Sequence, residues 1–76
     1  MSKRLPTLSA RQVVTALAKV GFREIPGRGK GSHLFVYRED PPKGITIPNV
    51  KELPRGTLRA IIRQADLSVD DFLALV

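Results

Sequence analysis

Ser32-His33-Leu34-Phe35-Val36-Tyr37, then Asp40-Pro41-Pro42-Lys43-Gly44, then Ile45-Thr46-Ile47-Pro48: this is the stretch whose reading decides the fold. The first six residues, with Val36 and two aromatics, read as a strand over 32–37. Residues 40–44 read as a turn. Ile45-Thr46-Ile47 reads as a strand stopped by Pro48, which has no N–H to give to a ladder. Alternation puts His33, Phe35 and Tyr37 on one face and Leu34 and Val36 on the other. Both faces hold apolar residues, so the pattern leaves open which one meets the core.

Working upstream, Gly27-Arg28-Gly29-Lys30-Gly31 reads as a turn, and Phe22 to Pro26 is short and β-compatible. Ser9 with Gln12 three residues on forms a capping-box pattern. Val13, Val14, Leu17 and Ala18 then supply an apolar stripe, and Gly21 is a natural C-cap, so a helix is expected over 9–20. Downstream, Pro54 suits the first position of a second helix. Leu58, Ile61, Ile62 and Ala65 follow its buried spacing. Ser68 with Asp71 repeats the capping pattern before a short C-terminal helix that would turn Val69, Phe72, Leu73 and Val76 inward. The order is α-β-β-β-α plus a terminal helix. Short connections favour an antiparallel meander. The expectation is an α+β fold, a three-stranded antiparallel sheet with helices packed on one face, forming a single domain over 1–76.

With 42% hydrophobic residues in 76, the chain can bury one modest core. The absence of cysteine fits a reducing compartment and excludes thiolate chemistry. No apolar segment follows the basic start Met1-Ser2-Lys3-Arg4, and no run approaches the ~20 residues needed to span a bilayer. A cytoplasmic protein without membrane contact is expected. Net charge is +6, unevenly placed: residues 1–38 hold eight Lys or Arg against one Glu, and residues 39–76 hold five against six acids. Such a concentration of positive charge points to a polyanion, nucleic acid first.

His33 is the only histidine, and histidine is the side chain that ordinarily gives and takes protons near neutral pH. It follows Arg28 and Lys30 closely. A proton-transfer group beside fixed positive charge is what phosphodiester cleavage needs. The plain alternative is an exposed strand histidine with no role. Arg55, Arg59 and Arg63 recur every four residues and form one stripe on the second helix, with Lys51 near its start. Helix N-termini attract phosphate, and arginine strengthens this; an ordinary solvated helix face is the alternative. The glycine-rich loop does not match a nucleotide P-loop, because Lys30 is followed by Gly31. No carboxylate cluster or histidine set has metal-ligand spacing, so neither a metal nor any other cofactor is expected. RNA permits cleavage without one, since its 2′-hydroxyl is an internal nucleophile.

Gly31-Ser32-His33 and the strand after it, Ile45-Thr46-Ile47-Pro48, Gly56-Thr57-Leu58-Arg59 and Ile61-Ile62-Arg63-Gln64-Ala65 together resemble a HicA-type (YcfA-like) mRNA interferase toxin. The likeness includes Gly21-Phe22 and Leu67-Ser68 to Phe72, and so runs from about Ser9 to Leu73. It implies a fold similar to double-stranded-RNA-binding domains. It also implies metal-independent endoribonuclease action on mRNA, with His33 catalytic, in a type II toxin–antitoxin system. A HicB-like antitoxin would then cover His33. Members of that family often carry a histidine shortly after the Ile-Pro element, and Val50 stands there in this chain. Arg28, Lys30, Ser32, Lys51, Arg55 and Arg59 are the candidates for RNA phosphate contact. Two other functions fit the same residues: a non-catalytic module that grips structured RNA, and a protein-interaction domain for an acidic partner.

Overall fold

The computed structural model of the chain describes residues 5–27 and 31–76. Six elements follow in order: α1 (Ala10–Ala18), β1 (Arg23–Glu24), β2 (His33–Glu39), β3 (Pro42–Pro48), α2 (Arg55–Gln64) and α3 (Val69–Leu73). The strands form one antiparallel sheet in the order β1-β2-β3. This is the expected α+β architecture, consistent with the double-stranded-RNA-binding-domain class.

Ser9 begins α1 through both halves of the capping box. Its hydroxyl accepts from the Gln12 N–H at 3.1 Å, and the Gln12 side chain accepts from the Ser9 N–H at 2.8 Å. The helix ends at Ala18, two residues short of expectation. Lys19 and Val20 donate to carbonyls three residues back, which tightens the last turn into a 3₁₀ pattern. Its buried stripe is Ala10, Val13, Ala16 and Leu17; Val14 is half-buried and Ala18 exposed. The sequence misplaced that stripe by part of a turn, because alanine fills a close helix–sheet contact as readily as a larger residue.

The hairpin is longer than its composition suggested. Glu39 pairs with Pro42 and His33 with Pro48, so only Asp40-Pro41 make the connection, and the peptide between them is cis. β3 tolerates a proline at each end because it is an edge strand, and no interior ladder bond is lost there. The ladder gains one further step where the Asn49 N–H donates to the Ser32 carbonyl at 2.6 Å.

Burial resolves the question that alternation left open. Leu34 pairs with Ile47 and Val36 with Ile45, and all four are buried against the helices. Slipping β2 by one residue would expose such side chains, at about 1.5–3 kcal/mol each, so the register is firmly held. Phe22, Leu53, Leu58, Ile61, Ile62, Ala65 and Phe72 complete the same core. Val76 departs from expectation: it is exposed, and Leu75 is the residue of that end that packs on the core.

Arg38 ties the hairpin end to the end of α2. Its guanidinium donates to the Pro41 carbonyl at 2.9 Å and to the Asp66 carboxylate at 2.9 Å, and lies 4.8 Å from the Phe22 ring centre. Asp66 holds φ at 63°, a left-handed conformation that aspartate tolerates better than most residues.

Candidate active site and nucleic-acid interface

His33 opens β2. Gly31, at φ 50°, turns the chain into the strand without the steric penalty a Cβ would bring. Two backbone ties then hold the spot, the pairing of His33 with Pro48 and the Asn49-to-Ser32 hydrogen bond. With Leu34 locked into the core, the pleat puts the His33 imidazole on the opposite, open face, where it is exposed. Its Nδ1 lies 3.4 Å from the Ser32 Oγ, the long end of hydrogen-bonding distance. No hydrogen bond joins His33 to a carboxylate among the described residues: Glu24, Glu39 and Asp66 pair with Arg11, Arg23 and Arg38, and Asp71 caps α3.

The chain leaves β3 beside His33 and reaches α2 through residues 49–54. This connection straps the two long helices together at their starts, for the Ala10 N–H donates to the Val50 carbonyl and the Leu53 N–H to the Leu8 carbonyl. The first turns of α1 and α2 therefore lie at the His33 end of the sheet. Lys51 is exposed in the connection and Arg55 in the first turn of α2. Pro54 caps α2 without any side-chain hydrogen bond, and no acid stands in the first turn. Its leading N–H groups, with their partial positive charge, are left for solvent or an anion.

Ion pairing sorts the arginines. Arg11, Arg23 and Arg38 each hold a carboxylate, whereas Lys51, Arg55, Arg59 and Arg63 make no ion pair among the described residues and are exposed. Among the described arginines, the unpaired ones thus run along α2. Because α2 ends where Arg38 bonds Asp66, at the far end of β2, Arg55 is nearest the His33 end, Arg59 one turn on and Arg63 furthest. Of the expected site, the structure gathers His33, Ser32, Lys51 and Arg55 at one end, with Arg59 beyond them. Arg28 and Lys30 lie outside the described residues. Val50 is 41% exposed, a large hydrophobic residue two positions past Pro48. No group of three His, Asp or Glu side chains that could hold a metal is present among the described residues.

Sequence reasoning passed over two features. Asn49 sits against Ser32, which no motif announces. Tyr37 stands half-buried on the open face with Phe35. Alternation had already put both rings with His33, and only the identity of the buried face was missing.

A sheet covered by helices on one face, with a histidine exposed at the end of its bare face and free cations along the neighbouring helix, defines a small basic α+β domain suited to a phosphate-bearing ligand. The chain matches the family model of the HicA toxin of bacterial toxin–antitoxin systems over residues 10–67, and so belongs to that family. The match begins at the first residue of α1, contains Gly31-Ser32-His33, and ends before α3. No curated protein matches the chain. It is the toxin of a toxin–antitoxin pair, which implies an antitoxin partner. No helix among the described residues is long and apolar enough to cross a membrane.

Proposed function

We propose that this toxin is a metal-independent endoribonuclease, an mRNA interferase of the cytoplasm, in which His33 transfers the proton during cleavage. The observation that carries this reading is the placement of His33: the only imidazole of the chain is exposed on the open sheet face, at the end where α2 offers unpaired cations and free N–H groups. RNA supplies its own nucleophile. The 2′-hydroxyl attacks the adjacent phosphorus, the P–O5′ bond breaks, and a 2′,3′-cyclic phosphate and a 5′-hydroxyl result. The 2′-oxygen loses a proton and the leaving 5′-oxygen gains one. Imidazole Nε2 is the atom that serves this exchange, while Nδ1 faces Ser32. Lys51, Arg55 and Arg59 hold the flanking phosphates, Arg55 beside uncapped N–H groups that suit an anion. Arg28, Lys30 and Ser32 belong to the same phosphate-binding group by their proximity in sequence. An antitoxin of the HicB type would silence the protein by covering His33.

Cleavage of labelled RNA by the purified protein and by His33→Ala tests this. His33 is exposed, so the alanine variant keeps the circular dichroism of the parent and loses cleavage. Full activity in a folded alanine variant would remove His33 from the reaction. Salt-sensitive RNA binding by a parent protein that cuts nothing would replace the enzyme with a binding module.

A further inference from the structure

The end of α2 folds back on itself. The Asp66 N–H, in a residue of left-handed backbone, donates to the Arg63 carbonyl at 3.0 Å, and the Leu67 N–H donates to the Ile62 carbonyl at 3.1 Å. This is the Schellman pattern, which brings a hydrophobic residue just past the cap onto one in the last turn. Leu67 accordingly packs on the core, where Ile62 is buried. The Ser68 capping box then starts α3 at once, with Val69 as its first residue. Between the two caps lies a cleft of about 130 Å³, lined by Arg59, Ile62, Arg63, Leu67 and Val69. Its floor is aliphatic, and its rim is two exposed arginines one helical turn apart. Neither arginine makes an ion pair among the described residues. The acids close by in sequence are engaged elsewhere and do not line the cleft: Asp66 holds Arg38, Asp71 accepts from the Ser68 N–H, and Asp70 has an interaction of its own. The charge of the cleft itself is therefore positive.

We infer that this cleft docks an acidic segment of the antitoxin, which seats one aliphatic side chain on Ile62, Leu67 and Val69 and sets carboxylates against Arg59 and Arg63. The inference rests on the antitoxin that family membership implies, and not on the ribonuclease reading. It adds a second contact to a cover over His33, because Arg63 is the α2 arginine furthest from that residue. The size of the cleft is well below the ~300–1,000 Å³ of small-molecule sites and suits a single side chain as anchor. An RNA strand could pair its phosphates with the arginines, but it would leave the aliphatic floor wet. That floor offers no ring on which a base could stack and no polar side chain to read a base edge. An acidic peptide with an aliphatic residue satisfies both floor and rim. The two arginines stand about 6 Å apart along the helix axis. Carboxylates one turn apart on a helix, or on alternate residues of a strand, match that separation. Guanidinium groups beside an apolar floor also pair more strongly than the same groups in open water. Both ends of the floor are fixed by caps, so the site is formed before the partner arrives and little ordering is left to oppose binding.

The test measures binding of the purified antitoxin encoded with this chain to the whole toxin, in the His33→Ala background, with and without Arg63→Glu or Val69→Asp. Arg63 is exposed, and aspartate is well placed in the first turn of a helix, so both variants keep the circular dichroism of the parent. Arg63→Gln, which removes only the charge, replaces either one that does not. Each variant is expected to raise the Kd for the antitoxin at least ten-fold. Arg63→Glu does so chiefly by slowing association and flattening its salt dependence, and Val69→Asp chiefly by speeding dissociation. RNA affinity stays within about three-fold of the parent, because the phosphate contacts at Lys51 and Arg55 are untouched. Parent-like antitoxin affinity in either folded variant overturns the docking site. So does a loss of RNA affinity as large as the loss for antitoxin, which would make the cleft part of the RNA path. A toxin dimer in sedimentation that the variants dissociate overturns it as well, by seating a second copy of the chain there. Failure of the ribonuclease reading looks different: the parent toxin then cuts no RNA, yet the variants still lose the antitoxin.

Discussion

Replacing Arg38 by methionine measures how much one side chain holds the hairpin to α2. Methionine keeps a stem to cover Phe22 and removes only the guanidinium, which is 13% exposed at its side chain. The bond to the Pro41 carbonyl at 2.9 Å contributes about 1 kcal/mol net. The pair with Asp66, whose side chain is 64% exposed, adds about 0.5–1 kcal/mol. The cation over Phe22 adds about 1 kcal/mol. The Ala65 carbonyl, at 3.4 Å, is too distant to add much. Arg38→Met is therefore expected to destabilise the protein by about 2–3 kcal/mol, or about 10–20 °C in Tm for a domain of this length. Asp66→Asn, which keeps a residue tolerant of left-handed backbone, should destabilise it by about 0.5–1 kcal/mol. In the double variant the loss should fall short of the sum, since the pair is then counted once. Urea unfolding followed by circular dichroism reads all three, with m unchanged. A shift in Arg38→Met smaller than about 0.5 kcal/mol would place it among ordinary surface substitutions and refute the staple. The same variant separates structure from binding: its RNA affinity should keep the salt slope of the parent, because Arg38 already holds a carboxylate.

Three further outcomes follow from the site. Arg55→Ala with Arg59→Ala should weaken RNA binding across sequences and flatten the plot of log affinity against log salt by about one unit for each phosphate no longer neutralised; an unchanged slope would return the stripe to solvated surface. Cleavage should survive EDTA and leave a 2′,3′-cyclic phosphate or its 3′-phosphate with a 5′-hydroxyl, and activity lost to EDTA but restored by magnesium would contradict the internal-nucleophile route. RNA carrying a single 2′-deoxy or 2′-O-methyl ribose at the cut should resist, and cutting at the parent rate would show that the nucleophile is not the 2′-oxygen.

The elements that were legible in the chain are those with a local cause. Ser9 with Gln12 and Ser68 with Asp71 set their helix starts by short-range hydrogen bonds, and both boxes are formed in the structure. The 3.6-residue spacing of Leu58, Ile61, Ile62 and Ala65 needs no partner to be recognised. What stayed hidden depends on residues distant in sequence. The strand reaching Pro42 and Pro48 requires an edge position, which only the strand order reveals. Arg38 looked like one more cation in a basic half, because nothing nearby in sequence foretells Asp66 or Phe22. His33 was legible as chemistry, through its uniqueness, but its neighbours Lys51, Arg55 and Asn49 are brought to it by the 49–54 connection and not by spacing.

The same register that displays His33 also forbids hiding it. Leu34 and Val36 are buried on either side of Phe35, and β2 is the middle strand, so the backbone under His33 cannot turn over without exposing core residues. A one-residue slip would invert the strand at a cost comparable to the whole stability of a small domain. The fold itself thus offers no low-energy state in which His33 is withdrawn. On the proposed reading, this toxin must be held inactive from outside, by a surface laid over the open face and the His33 end. A partner of that kind would exclude RNA by covering His33, with no conformational change in the toxin, and this is the role that membership of a toxin–antitoxin family leaves for the antitoxin.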